Sequence, residues 1–233
     1  MLSRPAPGPD RTISYGPDPD QVLDLWPDGA PGRPLVVLVH GGFWRPSFDR
    51  VHTRPMAAAL HATGWPVASL EYRRPPGDPD ATATDVAEGL RAAVAQAGDP
   101  GVVAVGHSAG GHLVLLTGSV AVGVVALAPV ADLALAEQMD LGDGAVRAHL
   151  GGPADRFRHL DPARLPAPST PVTIVHGDRD ERVPVEISTS YVRQHPGTRL
   201  VTVPRAEHFA VVDPWSDAWP TVVAEISRAA RSS

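Results

Sequence analysis

The sequence predicts an α/β protein built on a mostly parallel, doubly wound sheet with helices on both faces. Short apolar runs recur along the chain and are nearly continuous in Val, Leu, Ile and Ala, which is typical of parallel strands buried on both faces. Segments with helical periodicity separate these runs, and this alternation favours right-handed βαβ crossovers. Because 233 residues suit one domain of this class, we expect a single domain over residues 1–233.

Each strand is predicted from one apolar run. The buried strands are expected at residues 34–39, 66–72, 101–106, 123–128, 171–177 and 198–203. Upstream, the run QVLDLW ends at Pro27 and is followed by the turn-forming segment PDGAPGRP. We therefore expect an antiparallel edge strand over residues 21–26.

The helices are predicted from periodicity. In ATDVAEGLRAAVAQAG the apolar side chains share one helical face, and a glycine ends the pattern. Other helices are expected at about residues 53–63, 109–119, 185–195 and 216–228. Trp215 and Trp219 stand four apart, a spacing that predicts one packed face of the last helix.

Residues 131–169 differ from the rest of the chain, being long, rich in Gly, Pro, Asp and Arg, and without a clear strand. Long loops inside compact domains are often functional. This segment is expected to form either a small cap over the carboxyl edge of the sheet or a surface excursion.

Composition narrows the classes of partner. The net charge is −6 and no Lys/Arg cluster occurs, which argues against nucleic-acid binding and favours a small-molecule substrate. The absence of cysteine excludes disulfides and thiol catalysis.

No stretch approaches the ~18 apolar residues of a membrane span, and the first residues lack the apolar core of a signal peptide. We expect a cytoplasmic protein without membrane contacts; its oligomeric state, a homodimer included, stays open.

The segment AVGHSAGGHL contains the pattern G-x-S-x-G between a predicted strand and a predicted helix. In that context the pattern forces a serine into a strained turn, where only small neighbours avoid clashes. Ser108 is the candidate nucleophile, with Gly106 and Gly110 on either side. The N–H of Ala109, at the start of the helix, is an expected donor to developing negative charge. A short pattern can arise by chance in a Gly-rich chain. Whether Ser108 is a nucleophile therefore depends on whether the chain also supplies a base and a carboxylate.

A serine nucleophile needs a base and an orienting carboxylate. His208 lies in a loop after the last predicted strand, and Asp178, Asp180 and Glu181 lie in a loop after the preceding one. The chain order is therefore serine, acid, histidine. All these loops are at the carboxyl ends of strands, where open α/β sheets bind ligands.

The first buried strand ends in the segment HGGFW, which is a candidate oxyanion loop. Backbone N–H groups of Gly41, Gly42 and Phe43 would join Ala109 in holding an oxyanion. His40 opens the segment and is expected to brace it, and it is also a candidate for the substrate pocket.

Five segments together carry a family resemblance: HGGFW, GHSAGGHL, LEYRR, HGDRDERVP and EHFAVVDP. The chain resembles α/β-hydrolases over essentially its whole length. More narrowly, it resembles the branch that holds kynurenine formamidases (arylformamidases) and small acetyl-esterase-like enzymes. The resemblance implies the α/β-hydrolase fold and cleavage of N-formyl aryl amides or short esters through an acyl-serine. It also favours Asp180 over Asp178, because the motif HG-x-x-D-x-x-V-P fixes the register at Val183-Pro184.

The roles that follow are Ser108 as nucleophile, His208 as base and Asp180 as the residue that orients His208. Phe43 and Trp44 are candidates for the wall of the substrate pocket, with core packing as the alternative. Three arginines are candidates for a substrate carboxylate, with surface solvation as the alternative: Arg45, Arg73 and Arg74.

The most specific prediction is hydrolysis of N-formylkynurenine. A general short-chain carboxylesterase and a non-catalytic binding protein of the same fold remain alternatives. No metal-ligand spacing such as H-E-x-x-H occurs, and neither a metal nor a cofactor is expected.

Overall fold

The computed structural model of the protein describes residues 4–231 and contains one eight-stranded sheet of order β1-β2-β4-β3-β5-β6-β7-β8. The strands are β1 Arg11–Ser14, β2 Val22–Trp26, β3 Leu35–Val39, β4 Val67–Leu70, β5 Val102–His107, β6 Gly123–Leu127, β7 Val172–Gly177 and β8 Arg199–Val203. Strands β3 to β8 are parallel, whereas β2 pairs antiparallel with both β1 and β4. Each predicted buried run coincides with one of the parallel strands to within two residues at either end, and the predicted fold class is confirmed.

Helices cover both faces of the sheet. They are α1 Arg54–Ala62, α2 Pro79–Ala97, α3 Ala109–Thr117, α4 Leu133–Gln138, α5 Ala145–Leu150, α6 Val185–Gln194 and α7 Trp219–Ala229. Alternate residues of β3 enter separate cores, since Val37 belongs to the core that includes residues of α2, α3 and α6, while Val36 belongs to the core that includes residues of α1 and α7. The sheet is therefore buried on both sides, and its carboxyl edge carries the loops that hold polar side chains.

Two local predictions are wrong. The strand expected at residues 21–26 is antiparallel, as predicted, but its edge position is wrong, because β1 pairs with its outer side. The sequence of β1, RTIS, is short and mostly exposed, so it has no apolar run to reveal it. Trp215 lies outside α7 and is 66% exposed, with the guanidinium of Arg4 4.2 Å from its ring centroid; it shares no helix face with Trp219.

Residues 131–169 contain α4, α5 and three 3-10 turns, and no strand. The buried carboxylate of Asp161 accepts hydrogen bonds from the N–H groups of Leu133 at 3.0 Å and Ala134 at 3.3 Å, which ties the two ends of the segment together. The loop between α4 and α5 extends to the carboxyl edge of the sheet. Among residues 4–231, no helix combines the length and the hydropathy that crossing a membrane requires.

Candidate active site

Ser108 occupies a sharp turn between β5 and α3. Its φ is 55°, a left-handed conformation that is unusual for a non-glycine residue. The turn brings backbone segments so close that a Cβ on Gly106 would lie 2.2 Å from the carbonyl oxygen of Gly110. A Cβ on Gly110 would lie 2.1 Å from the carbonyl oxygen of Val39. The two glycines of the pattern are thus required by close packing around the serine.

His208 and Asp180 form a buried pair next to this turn. His208 Nδ1 lies 2.6 Å from Asp180 Oδ2. The other carboxylate oxygen of Asp180 accepts hydrogen bonds from the backbone N–H groups of Arg182 and Val183, each at 2.9 Å. Burial raises the pKa of Asp180, but hydrogen bonds from His176 and His208 outweigh it and hold the pKa well below its ordinary value. Asp180 is therefore a carboxylate at neutral pH.

His176 is a second histidine in contact with Asp180. Its Nε2 donates to the carbonyl oxygen of Val183 at 2.8 Å and lies 3.3 Å from Asp180 Oδ2. Because a carbonyl oxygen can only accept, the proton of His176 lies on Nε2, and Nδ1 accepts a hydrogen bond from Ser188 Oγ at 2.7 Å. Because His176 and Ser188 are fully buried, Asp180 has little freedom to rotate.

His107 holds the backbone next to the base. Its Nε2 donates to the carbonyl oxygen of His208 at 3.1 Å, and the two ring centroids are 4.6 Å apart. Burial, with the nearby His208, lowers the pKa of His107 well below its ordinary value. The Ser108 hydroxyl makes no hydrogen bond with any residue in the range 4–231. Such catalytic bonds are commonly loose without substrate and tighten in the reacting complex.

The loop after β3 passes directly over Ser108. A Cβ on Gly41 would lie 2.9 Å from the Cβ of Ser108. The backbone N–H groups of Gly41, Gly42 and Phe43 have no hydrogen-bond acceptor in the described part of the chain, and neither does that of Ala109 at the start of α3. These unpaired donors surround the serine and are available to an oxyanion.

A buried polar network braces this loop. His40 Nδ1 donates to the carbonyl oxygen of Gly41 at 2.8 Å, and His40 Nε2 lies 2.9 Å from Glu71 Oε1. The Tyr72 hydroxyl donates to the carbonyl oxygen of His40 at 2.8 Å, and the two rings stack. Burial raises the pKa of Glu71, but the hydrogen bond and charge of His40, with Arg74, lower it to about 2. The LEYRR segment thus supports the candidate oxyanion loop.

Of the three arginines predicted from the sequence, only Arg45 lies at the site. Arg73 forms a two-point ion pair with Asp85 at 2.7 and 2.8 Å. Arg74 is buried against Glu71 and the carbonyl oxygen of Tyr72. The guanidinium groups of Arg73 and Arg74 are therefore both bound to other residues of the protein.

Ser108 and His208 open into a cavity of about 150 Å³. The cavity is lined by Gly41, Gly42, Phe43, Arg45, Phe48, His52, His107, Ser108, Gly142, Asp143, Arg182, His208 and Phe209. Clefts of about 350 and 590 Å³ lie elsewhere on the surface, but neither includes Ser108 or His208. In residues 4–231, no group of three or more His, Cys, Asp or Glu side chains is arranged to hold a metal ion.

Of the three residues predicted for the substrate pocket, only one lines the cavity. Phe43 lines the cavity, whereas His40 and Trp44 lie behind it. Trp44 is only 3% exposed, stacks on His149 with ring centroids 4.5 Å apart, and meets His112 edge to face. Of the two aromatic residues of the HGGFW segment, Phe43 therefore lines the cavity and Trp44 packs in the core.

The sequence interpretation missed several cavity residues. Arg182 and Phe209 stand beside Asp180 and His208 in the chain, and that adjacency was an available signal. His52 and Asp143 come from distant segments that only the tertiary fold brings to the site, so no local pattern marks them.

Residues 36–159, more than half of the 233, match the model of the alpha/beta hydrolase family. The chain therefore belongs to this family.

Curated relatives and solved structures agree with this assignment. The chain is similar to esterase LipC of Mycobacterium tuberculosis, with 29% identity over 79% of this chain and 54% of that protein. It is also similar to esterase LipQ of the same organism, with 29% identity over 86% of this chain and 58% of that protein. The chain thus spans just over half the length of these relatives. Phosphonate-inhibited esterase B from Lactobacillus rhamnosis has the same fold, with a TM-score of 0.77, 21% identity, and coverage of 96% of this chain and 87% of that chain.

Proposed function

We propose that the protein is a serine esterase that hydrolyses esters of short carboxylic acids through an acyl-enzyme on Ser108. The observation that carries the proposal is the buried hydrogen bond of 2.6 Å between His208 and Asp180 beside a strained serine, with both His208 and Ser108 lining one small cavity. The similarity to two esterases supports the reaction class.

In the first half of the reaction, Ser108 Oγ attacks the ester carbonyl carbon while His208 Nε2 takes the hydroxyl proton. The carbonyl oxygen becomes an oxyanion, which accepts hydrogen bonds from the unpaired N–H groups of Ala109 and the loop over the serine. Asp180 stabilises the imidazolium that forms. The tetrahedral intermediate then collapses, the bond to the leaving oxygen breaks, and His208 gives its proton to that oxygen.

In the second half, water replaces the alcohol. His208 takes a proton from the water as the water oxygen attacks the acyl carbon, and a second oxyanion forms on the same donors. Its collapse breaks the bond to Ser108 Oγ, which recovers its proton from His208. The products are a carboxylic acid and free enzyme, and the cycle uses neither a metal nor a cofactor.

The size of the cavity sets the expected acyl group. The cavity has a volume of about 150 Å³. Acetyl, propionyl and butyryl groups are of this scale, whereas an octanoyl chain exceeds it. We therefore expect the highest kcat/KM for the shortest esters.

An N-formyl aryl amide is the second candidate substrate. The narrow resemblance to kynurenine formamidases suggests it, and a small cavity with Phe43 and Phe209 in its wall suits a formyl group attached to an aromatic ring. Its hydrolysis would use the same serine, acid and base.

The test is a comparison of kcat/KM for p-nitrophenyl esters from acetate to octanoate and for N-formylkynurenine, with Ser108→Ala as the blank. The proposal predicts an optimum among the shortest esters and a loss of at least about 10³-fold in the blank. A marked preference for the formamide would assign the protein to the second candidate function. Equal rates in wild type and Ser108→Ala would refute both.

A further inference from the structure

Two arginines flank the candidate catalytic cavity, and each stands beside an aromatic ring. Arg45 and Arg182 both line the cavity and are exposed. The guanidinium carbon of Arg45 is 5.9 Å from the ring centroid of Phe43, and that of Arg182 is 5.3 Å from the ring centroid of Phe209. One pair belongs to the loop over the serine, and the other to the loops that carry the acid and the base.

Neither guanidinium forms an ion pair with a side chain in the described range, 4–231. Arg45 donates instead to the carbonyl oxygen of Gly142. The other arginines near this edge of the sheet differ, because Arg50 and Arg74 pair with buried carboxylates. The positive charges at the cavity are thus available to a ligand.

The charge balance around the cavity is opposite to that of the whole molecule. Asp143 is the one acidic residue among the described residues that line it, against two arginines. The whole chain has a net charge of −6, which repels anions at long range. Attraction of an anionic substrate would therefore depend on local contacts with Arg45 and Arg182.

The direction of catalysis decides which arginine meets which part of the substrate. His208 gives its proton to the leaving oxygen, so the leaving group lies on the side of His208. Phe209 directly follows His208, and Arg182 lies next to Phe209. Arg182 therefore stands on the leaving-group side of the cavity.

Building on the proposed esterase function, we propose that the preferred substrates are esters whose leaving alcohol bears a carboxylate, bound by Arg182 with Arg45 as the weaker contact. A guanidinium matches a carboxylate with two parallel N–H donors. The half-buried ring of Phe209 offers an apolar face to the body of the same leaving group, which favours an aryl alcohol.

The experiment compares two esters of one acyl group, 4-acetoxybenzoate and its neutral methyl ester. The ratio of their kcat/KM values is measured in wild type, Arg182→Gln and Arg179→Gln. Arg179 is the matched control, because it is exposed and three residues away but does not line the cavity. Differences in intrinsic reactivity between the esters cancel when the ratios are compared between proteins.

Arg182→Gln is expected to lower the ratio of anionic to neutral ester by about tenfold, Arg45→Gln by less, and Arg179→Gln not at all. Asp143→Asn is expected to raise the ratio, because it removes the opposing charge. High ionic strength should reduce the difference between wild type and Arg182→Gln. Equal ratios in Arg182→Gln and Arg179→Gln would overturn the inference while leaving the esterase function intact. If wild type hydrolyses neither ester nor the p-nitrophenyl series, the proposed function itself fails.

Discussion

The Nδ1 atom of His208 lies 2.6 Å from Oδ2 of Asp180, and both side chains are buried. A carboxylate at this position keeps the proton of a neutral imidazole on Nδ1, which leaves Nε2 able to accept a proton, as the proposed mechanism requires. Two backbone N–H groups and His176 hold the carboxylate in turn. The orientation of the His208 ring is therefore fixed by a carboxylate that is itself held at both oxygens.

Asp180→Asn is expected to lower kcat by on the order of 10⁴-fold, because an amide no longer enforces the required tautomer of His208. Steady-state kinetics on a p-nitrophenyl ester measure this loss. Asp178→Asn is the matched control, since the Asp178 side chain is exposed and, within residues 4–231, accepts a hydrogen bond only from the backbone N–H of Arg205. A severe loss in Asp178→Asn with near-normal Asp180→Asn would show that the acid is assigned to the wrong residue.

His176→Phe is expected to lower kcat by about 10- to 100-fold, with a smaller effect on KM. The substitution removes a hydrogen bond to the charged Asp180 and leaves the carbonyl oxygen of Val183 without its donor. Kinetics and a urea unfolding curve are measured together, so that lost activity is separated from lost folding. A folded variant with the kcat of wild type would exclude a role for His176 in positioning the acid.

Gly110→Ala is expected to lower the free energy of unfolding by about 2 kcal/mol or more and to abolish activity. The added Cβ would lie 2.1 Å from the carbonyl oxygen of Val39, and backbone cannot yield as a flexible side chain can. Gly197→Ala is the control, because a Cβ there meets no atom within 4 Å. Urea unfolding compares the two. Similar stability in both variants would contradict the close packing inferred around Ser108.

Stability is expected to fall as the pH drops from about 6.5 towards 4. Burial lowers the pKa of His112 to about 4 and that of His149 to about 3. In this pH range the unfolded chain binds protons that the folded protein excludes, so the free energy of unfolding decreases, by at most about 1.4 kcal/mol per pH unit for each histidine.

His149→Phe tests this prediction, because it keeps an aromatic ring against Trp44 while removing one titrating group. The unfolding free energy is measured in urea at several pH values for both proteins. The variant is expected to show a shallower dependence on pH. The same slope in both proteins would mean that His149 takes up its proton equally in the folded and unfolded states.

The sequence predicts the parallel strands and the candidate triad for physical reasons. Runs of Val, Leu and Ala such as residues 102–107 suit strands buried on both faces, and parallel order brings their carboxyl ends to one edge. The sequence pattern does not predict strand β1, because its four residues are largely polar and their pairing with β2 is a tertiary contact.

The cavity wall is harder to predict. Phe43 and Trp44 are adjacent, both with positive φ, yet one faces the cavity and the other the core. Local sequence does not encode that division, since it depends on where His149 is placed by the fold. Asp143 likewise reaches the site only through the path of residues 131–169.

Covalent labelling determines whether Ser108 is the nucleophile. Wild type and Ser108→Ala are treated with an alkyl p-nitrophenyl phosphonate, which resembles the tetrahedral intermediate, and the modified peptide is located by mass spectrometry. One phosphonyl group per chain is expected, on Ser108, and Ser108→Ala is expected to remain unlabelled. Labelling of a different residue, or equal labelling of the two proteins, would contradict the assignment of Ser108 as the nucleophile.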